Sequence, residues 1–199
     1  MGAREEILTR LTGGGVRVAV PRAYRQRGTT DPQLLVELLT DRLLDYRAGV
    51  HPSPPGALGA TIAALLAGAA TLAVPLDAPD DWLRDYPGEV RHEPLSVAEL
   101  DATDAVLTGC ALAIAETGTL VLDAGPTQGR RALSLVPDHH VCVVHTGQIV
   151  ASVPEGLHRL ADPRRPLTLI SGPSATSDIE LNRVEGVHGP RRLDVVLVI

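Results

Sequence analysis

The 199-residue chain contains no lysine and no phenylalanine; all 18 basic side chains are arginine, and one tryptophan and three tyrosines are its only aromatics. Without lysine there is no Schiff-base chemistry, no lysine general base and no G-x-x-x-x-G-K-[ST] phosphate loop. Two cysteines, Cys110 and Cys142, are too few for a four-thiolate iron–sulfur cluster or zinc site within one chain. No G-x-G-x-x-G, G-x-S-x-G, C-x-x-C or H-x-x-x-H pattern occurs, so dinucleotide, hydrolase-triad and metal sites have no sequence anchor. No metal site is expected. His139 and His140 are adjacent and point apart in a strand.

Charge is also thin on the basic side. The formal net charge is −6, arginines occur at most in pairs and stacking aromatics are scarce, which argues against nucleic-acid binding. The first ten residues alternate in charge and lack an apolar core, so they do not read as a secretory signal. Met1-Gly2 is followed at position 6 by Glu6 rather than the Ser or Thr of a myristoylation signal. Residues 51–76 carry no charge apart from His51. They are rich in Ala and Gly and broken by Gly68 and Pro75, so they read as a buried helix over Ala57–Ala67 and a strand over Thr71–Val74, not a membrane span. Few thiols and no leader fit a reducing, cytoplasmic location, although one disulfide stays open.

Hydrophobic residues make up 44% of the chain, and without phenylalanine the core must be aliphatic. Glu5–Leu11 reads as a short helix ended by the Gly13-Gly14-Gly15 run. Asp31-Pro32 is a cap-and-start signal for a helix to about Arg47, with Leu35, Leu38, Leu39, Leu43 and Tyr46 on one face. Between them, Val20–Thr30 has little period and reads as a loop or mobile arm. Asp80–Asp85 reads as a short helix carrying Trp82. Ser96 and Glu99 form a capping box inside a Leu95–Leu100 staple. Ala105–Thr108, Leu120–Leu122, Val141–Val144, Leu167–Ile170 and Val195–Ile199 are apolar runs, as expected of strands covered on both faces. Helices are expected over Gln128–Leu135 and from Ser152-x-x-Glu155 to Leu160. This alternation predicts an α/β fold, a mostly parallel sheet flanked by helices. The domain reading is an N-terminal helical appendage over 1–48 and an α/β domain over 49–199.

Ligands in open α/β sheets bind beyond the carboxyl ends of strands. Two segments there are rich in functional groups. In Thr108–Thr119, Glu116 is the one acid between Asp104 and Asp123 and sits among apolar neighbours, surroundings that create acid/base or nucleophilic carboxylates unless an arginine pairs with it. Thr117, Gly118 and Thr119 either complete a site or form a plain turn. The second segment, Ser171–Glu180, offers hydroxyls and backbone N–H groups that can cradle an anion. Ser177-x-x-Glu180 also fits a capping box. Asp178 and Glu180 are two apart and share no face of a helix. His188, flanked by Gly186-Val187 and Gly189, is a candidate acid/base or an ordinary loop histidine. Gly129-Arg130-Arg131 can grip an anion or lie solvated on the surface.

The runs TGCALAIAETGTLVL (Thr108–Leu122), GRRALSLVPDHHVCVV (Gly129–Val144) and ISGPSATSDIELNRVEGVHGPRRLDVVLV (Ile170–Val198) resemble the LUD domain, in particular the lactate-utilisation protein C (LutC/YkgG) family. The resemblance covers roughly the last 95 residues and rests on three ordered motifs, A-E-T-G-T, S-G-P-S-x-T-x-D-I-E and G-V-H-G-P. It implies a fold like that of ribose-5-phosphate isomerase, glucosamine-6-phosphate deaminase and CoA transferases. It also implies a non-redox component of a system oxidising L-lactate to pyruvate, with no cofactor in this chain and iron–sulfur clusters in partner subunits. The motif positions it marks are Glu116, Thr117, Gly118, Thr119, Ser171, Gly172, Ser174, Thr176, Asp178, Glu180, His188 and Gly189. CoA transferases use a glutamate beside a glycine as nucleophile, so Glu116-Thr117-Gly118 also allows an independent enzyme acting on a phosphosugar or acyl-CoA. A scaffold or regulatory module without catalysis is the third reading. A small anionic ligand and iron–sulfur subunits are the expected partners, and a homo-oligomer stays open.

Overall fold

The computed structural model describes residues 2–12, 21, 28, 31–162, 164–176, 184–185 and 188–199. The arm expected over 20–30 lies outside them except for Pro21 and Gly28, and so do Asp178, Glu180 and the Ser177 capping box.

The chain opens with α1 (Ala3–Thr12) and α2 (Pro32–Asp45). Asp31 caps α2 as expected: its carboxylate accepts from the N–H groups of Gln33 and Leu34, and Pro32 takes the first helical position. Leu35, Leu39 and Leu43 form the buried stripe of this helix. There follow β1 (Gly49–Ser53), α3 (Leu58–Leu65), β2 (Thr71–Val74), α4 (Asp80–Leu83), β3 (Glu89–His92), α5 (Val97–Asp101) and β4 (Ala105–Thr108). The capping box of α5 is present: Glu99 N–H donates to Ser96 Oγ at 3.2 Å, and Ser96 N–H donates to the Glu99 carboxylate at 2.7 Å. Then come β5 (Leu112–Ile114), β6 (Thr119–Leu122), α6 (Arg131–Leu135), β7 (His139–His145), β8 (Ile149–Val150) and α7 (Val153–Arg159). The chain closes with β9 (Thr168–Ile170), β10 (Ala175–Thr176), β11 (Val184–Glu185) and β12 (Arg192–Val198).

The main sheet has six strands in the order β1-β12-β7-β4-β2-β3, and every pairing in it is parallel. This is the expected α/β architecture. Its edges, β1 and β3, were not legible as strands because β1 contains Pro52 and β3 carries Glu89 and Arg91. Edge strands tolerate proline and favour charge because one side makes no ladder.

Alternation along β7 sorts the core. Val141 and Val143 face Leu58, Ile62 and Trp82, whereas Cys142 and Val144 face Leu39 and Leu43 of α2. The large sheet is thus covered on both faces, which accounts for its continuous apolar runs. Leu39 and Leu43 share one buried cluster with Val195 and Leu197 of β12, so α2 packs into the core of the α/β layer.

A second sheet, unforeseen in the sequence, has the order β8-β5-β6-β9, with β5–β6 and β6–β9 antiparallel and β5–β8 parallel. It packs with α2 on the same face of the large sheet, through Ala113, Leu120 and Leu122. At the start of α7, Ser152 is buried but its hydroxyl makes no capping bond, while Glu155 accepts from the Ala151 N–H at 3.3 Å.

Candidate functional site

The first candidate segment is a hairpin of the second sheet. β5 buries Leu112, Ala113 and Ile114, and Ala115–Thr117 form a single 3-10 turn closed by Gly118 at φ 59°. Glu116 sits on that turn and is exposed. The secluded carboxylate expected from its apolar neighbours is therefore corrected. Those neighbours are strand residues pointing inward, and the turn carries Glu116 outward.

Gly118 is required where it stands. A Cβ there would lie 2.7 Å from Arg42 Cβ, on top of its left-handed backbone. Gly172 repeats the pattern in the second segment: its φ is 89°, and a Cβ would lie 2.5 Å from Tyr46 Cβ. The C-terminal end of α2 is thus clasped by both motifs.

Hydroxyls join the two segments. Thr117 Oγ1 lies 2.8 Å from Thr119 Oγ1, which lies 2.8 Å from Ser171 Oγ. Ser171 follows β9, at the edge of the second sheet, and not a strand of the parallel sheet as expected. Further on, the His188 N–H donates to Ser174 Oγ at 2.9 Å, and the Ser174 N–H donates to the Pro190 carbonyl at 2.7 Å. These bonds hold His188–Pro190, the described part of the G-V-H-G-P motif, against the S-G-P-S motif.

Between them lies a cavity of about 220 Å³. Ser171, Gly172, Ser174, His188 and Gly189 line it, together with Ser134 of α6 and the apolar Leu135 and Leu193. Glu116, Thr117, Gly118 and Thr119 are not among the described lining residues; they connect to the cavity through Ser171. The side chain of Thr176 lies outside what is described.

The lining also includes His140, for which the sequence reading found no role. It is fully buried, and its Nε2 lies 2.8 Å from Thr108 Oγ1, while its Nδ1 has no hydrogen-bond partner. Burial, reinforced by the nearby His139, lowers its pKa to about 3, so the ring is neutral. The signal available in the sequence was the histidine itself, standing inside the apolar strand β7.

His139 points the other way, as strand alternation requires. Its Nε2 lies 2.8 Å from Asp194 Oδ2, His51 Nε2 lies 2.7 Å from Oδ1, and Arg192 Nε donates to Oδ2 at 2.7 Å. Burial alone would raise the Asp194 carboxyl. The bonds from His139 and His51 and the Arg192 charge outweigh it and hold the carboxyl well below the usual carboxylate range.

A second concavity, of about 310 Å³, lies beyond the carboxyl ends of β2 and β3 beside Asp77, Glu93 and Arg130. Arg130 is committed there: its Nε donates to the buried Glu93 at 2.7 Å and its backbone N–H at 2.8 Å. Cys110 and Cys142 are buried free thiols, and the neighbouring Cys142 thiol together with burial pushes the Cys110 thiol up. Among the described residues no three His, Cys, Asp or Glu side chains converge as metal ligands, and no helix is long and apolar enough to cross a membrane.

This is an α/β protein with its candidate cavity under two motif loops, and comparison with known proteins gives its family. The LUD domain profile matches residues 97–198. Lactate utilization protein C of Deinococcus radiodurans is 55% identical over 162 residues, 79% of this chain and 76% of that protein. Uncharacterized protein YkgG of Escherichia coli is 42% identical over 84 residues, 39% of this chain and 36% of its own length. The crystal structure of a DUF162 family protein from Deinococcus radiodurans superposes with a TM-score of 0.76 at 44% identity, covering 86% of this chain and 100% of that one. The chain belongs to the LUD-domain family.

Proposed function

We propose that the chain is a non-redox, cytoplasmic component of an L-lactate utilisation system, one that binds a small anionic ligand and works beside iron–sulfur partner subunits. The observation that carries this reading is the 55% identity, over most of both chains, to a protein named lactate utilization protein C. The two cysteines lie buried in the core and are too few for a four-thiolate iron–sulfur cluster, which supports placing the clusters in other subunits.

The cavity under the two motif loops is the ligand site in this reading. Its volume of about 220 Å³ falls below the roughly 300–1,000 Å³ of sites for drug-sized ligands. That favours a compound of few atoms over an acyl-CoA. Covalent catalysis by Glu116 receives no support from an exposed position off the described cavity lining.

Deleting the gene and growing the strain on L-lactate tests the reading. Loss of lactate growth restored by the gene, with iron–sulfur proteins co-purifying with the tagged chain, is the expected result. Normal growth of the deletion strain on L-lactate overturns it.

A further inference from the structure

Five strands of the large sheet stand side by side as β3-β2-β4-β7-β12. The chain runs outward from β2 to β3, then returns past β2 to β4 and continues the other way. Open parallel sheets hold ligands at such a reversal, in the crevice outside the carboxyl ends of the two strands that flank it. Here it falls between Pro75–Asp77, after β2, and Gly109, after β4.

Residues 123–130, which follow β6, bridge this crevice. The Thr127 N–H donates to Asp77 Oδ2 at 2.9 Å, and the Gly109 N–H donates to the Thr127 carbonyl at 2.8 Å. A Cβ at Gly109 would lie 2.4 Å from Thr127 Oγ1, so the threonine side chain is pressed onto the end of β4. The bridge ends at Arg130, whose backbone N–H and Nε both donate to the buried Glu93 after β3. Ala124 and Thr127 take φ values of 54° and 61°, left-handed backbone that a β-branched threonine rarely adopts. Such strain persists where surrounding bonds over-determine it, and it gathers at ligand sites.

With Thr127 in the crevice, the open space lies toward β3, in the concavity of about 310 Å³. Its charges are unequally committed. Glu93 spends Oε1 on Arg130 Nε and Oε2 on the Arg130 N–H, and so offsets the guanidinium charge. Asp77 is exposed and uses Oδ2 for Thr127; among the described residues its Oδ1 makes no bond, and neither does Arg130 Nη1. The uncompensated charge among the described lining residues is therefore negative. It repels a plain anion and attracts an ammonium, while Nη1–H remains to donate to a carboxylate at the far end of the same ligand. Pro75, Leu76, Pro94 and Ala124 supply apolar walls, and Leu76 is 76% exposed.

The geometry points to this concavity as a binding site for a small zwitterionic amino acid with an aliphatic side chain: the ammonium donates to Asp77, the carboxylate accepts from Arg130 Nη1–H, and the side chain lies against Leu76 and Pro94. The site shares no described lining residue with the cavity under the two motif loops, and the inference does not rest on the proposed lactate role.

Amide and arginine side-chain NMR spectra of the full chain test this while L-leucine is titrated in. The comparison ligands are 3-methylbutylamine, which is leucine without its carboxylate, 4-methylpentanoate, which is leucine without its ammonium, and inorganic phosphate. L-leucine is expected to shift the signals of Asp77, Thr127 and Arg130 saturably, and the amine to bind roughly fivefold more weakly. The pentanoate and phosphate are expected to leave those signals in place. Asp77→Asn keeps an oxygen that accepts from the Thr127 N–H, so the bridge stays while L-leucine binding weakens roughly fivefold. Leu76→Ser, at an exposed position, weakens L-leucine and leaves glycine unchanged. No saturable shift with L-leucine overturns the inference, as does pentanoate or phosphate binding as tight as that of L-leucine. So does an Asp77→Asn chain that binds like the wild type, or a Leu76→Ser chain with an unchanged preference for leucine over glycine. An amine that binds as tightly as L-leucine overturns the zwitterion and with it the role of Arg130.

Discussion

Thr119 Oγ1 and Ser171 Oγ lie 2.8 Å apart although 52 residues separate them in the chain. The bond joins the A-E-T-G-T hairpin to the S-G-P-S loop and makes one structure of two motifs. Thr119 is buried and Ser171 exposed, so the bond is shielded on one side. In a double-mutant cycle, Thr119→Ala and Ser171→Ala are expected to show a coupling of about 0.5–1.5 kcal/mol in urea unfolding. Strict additivity would mean that the bond contributes nothing.

Both motif glycines approach α2 closely in left-handed backbone. Gly118→Ala and Gly172→Ala each add a Cβ that meets Arg42 or Tyr46. Each is expected to destabilise the chain by about 1–3 kcal/mol, from backbone strain and forced displacement of the helix. Thermal unfolding of the purified variants measures this. The same substitution at Gly56 or Gly147, where a Cβ meets nothing within 4 Å, is the control.

His140 makes the protein acid-sensitive in a defined window. The folded ring has a pKa of about 3, whereas an unfolded histidine titrates near about 6.5. Above that value both states carry a neutral ring and the group has no effect. As pH falls below it, the unfolded chain gains a proton that the folded chain refuses, so stability drops by up to ~1.4 kcal/mol per pH unit until about pH 3. His140→Gln is expected to remove one proton from the slope of unfolding free energy against pH between 6 and 4. An unchanged slope would contradict a neutral buried ring.

Asp194 acts at lower pH. Its folded carboxyl is held below its ordinary value, so its stabilisation is present above the unfolded pKa of about 3.9 and is lost as pH falls through the folded value. Asp194→Asn is expected to cost about 2–4 kcal/mol at neutral pH, because His51, His139 and Arg192 lose their shared acceptor. The difference from wild type should shrink below about pH 4, as read from denaturant midpoints across the pH range.

Local signals in the sequence located the elements that depend on local physics. Asp31-Pro32 gave the start of α2, Ser96 and Glu99 gave the cap of α5, and the apolar runs gave β2, β4, β6, β7, β9 and β12. Residues whose role depends on distant partners were not legible. β6 and β9 were legible as apolar runs, but β5 and β8, three and two residues long, are too short to show a period, so the sheet they complete was missed. The apolar neighbours of Glu116 suggested seclusion, but a single turn reverses the direction of its side chain. His139 and His140 were expected to point apart, and they do. What each one meets, Asp194 on one face and Thr108 on the other, is set by strand register 55 and 32 residues away.

Growth on L-lactate of a deletion strain carrying either the wild-type gene or a Ser171→Ala/Ser174→Ala gene joins the lactate role to the cavity in one measurement. The wild-type gene is expected to restore growth, and the double variant, folded and expressed at the same level, to fail. Equal growth with both genes would contradict the account.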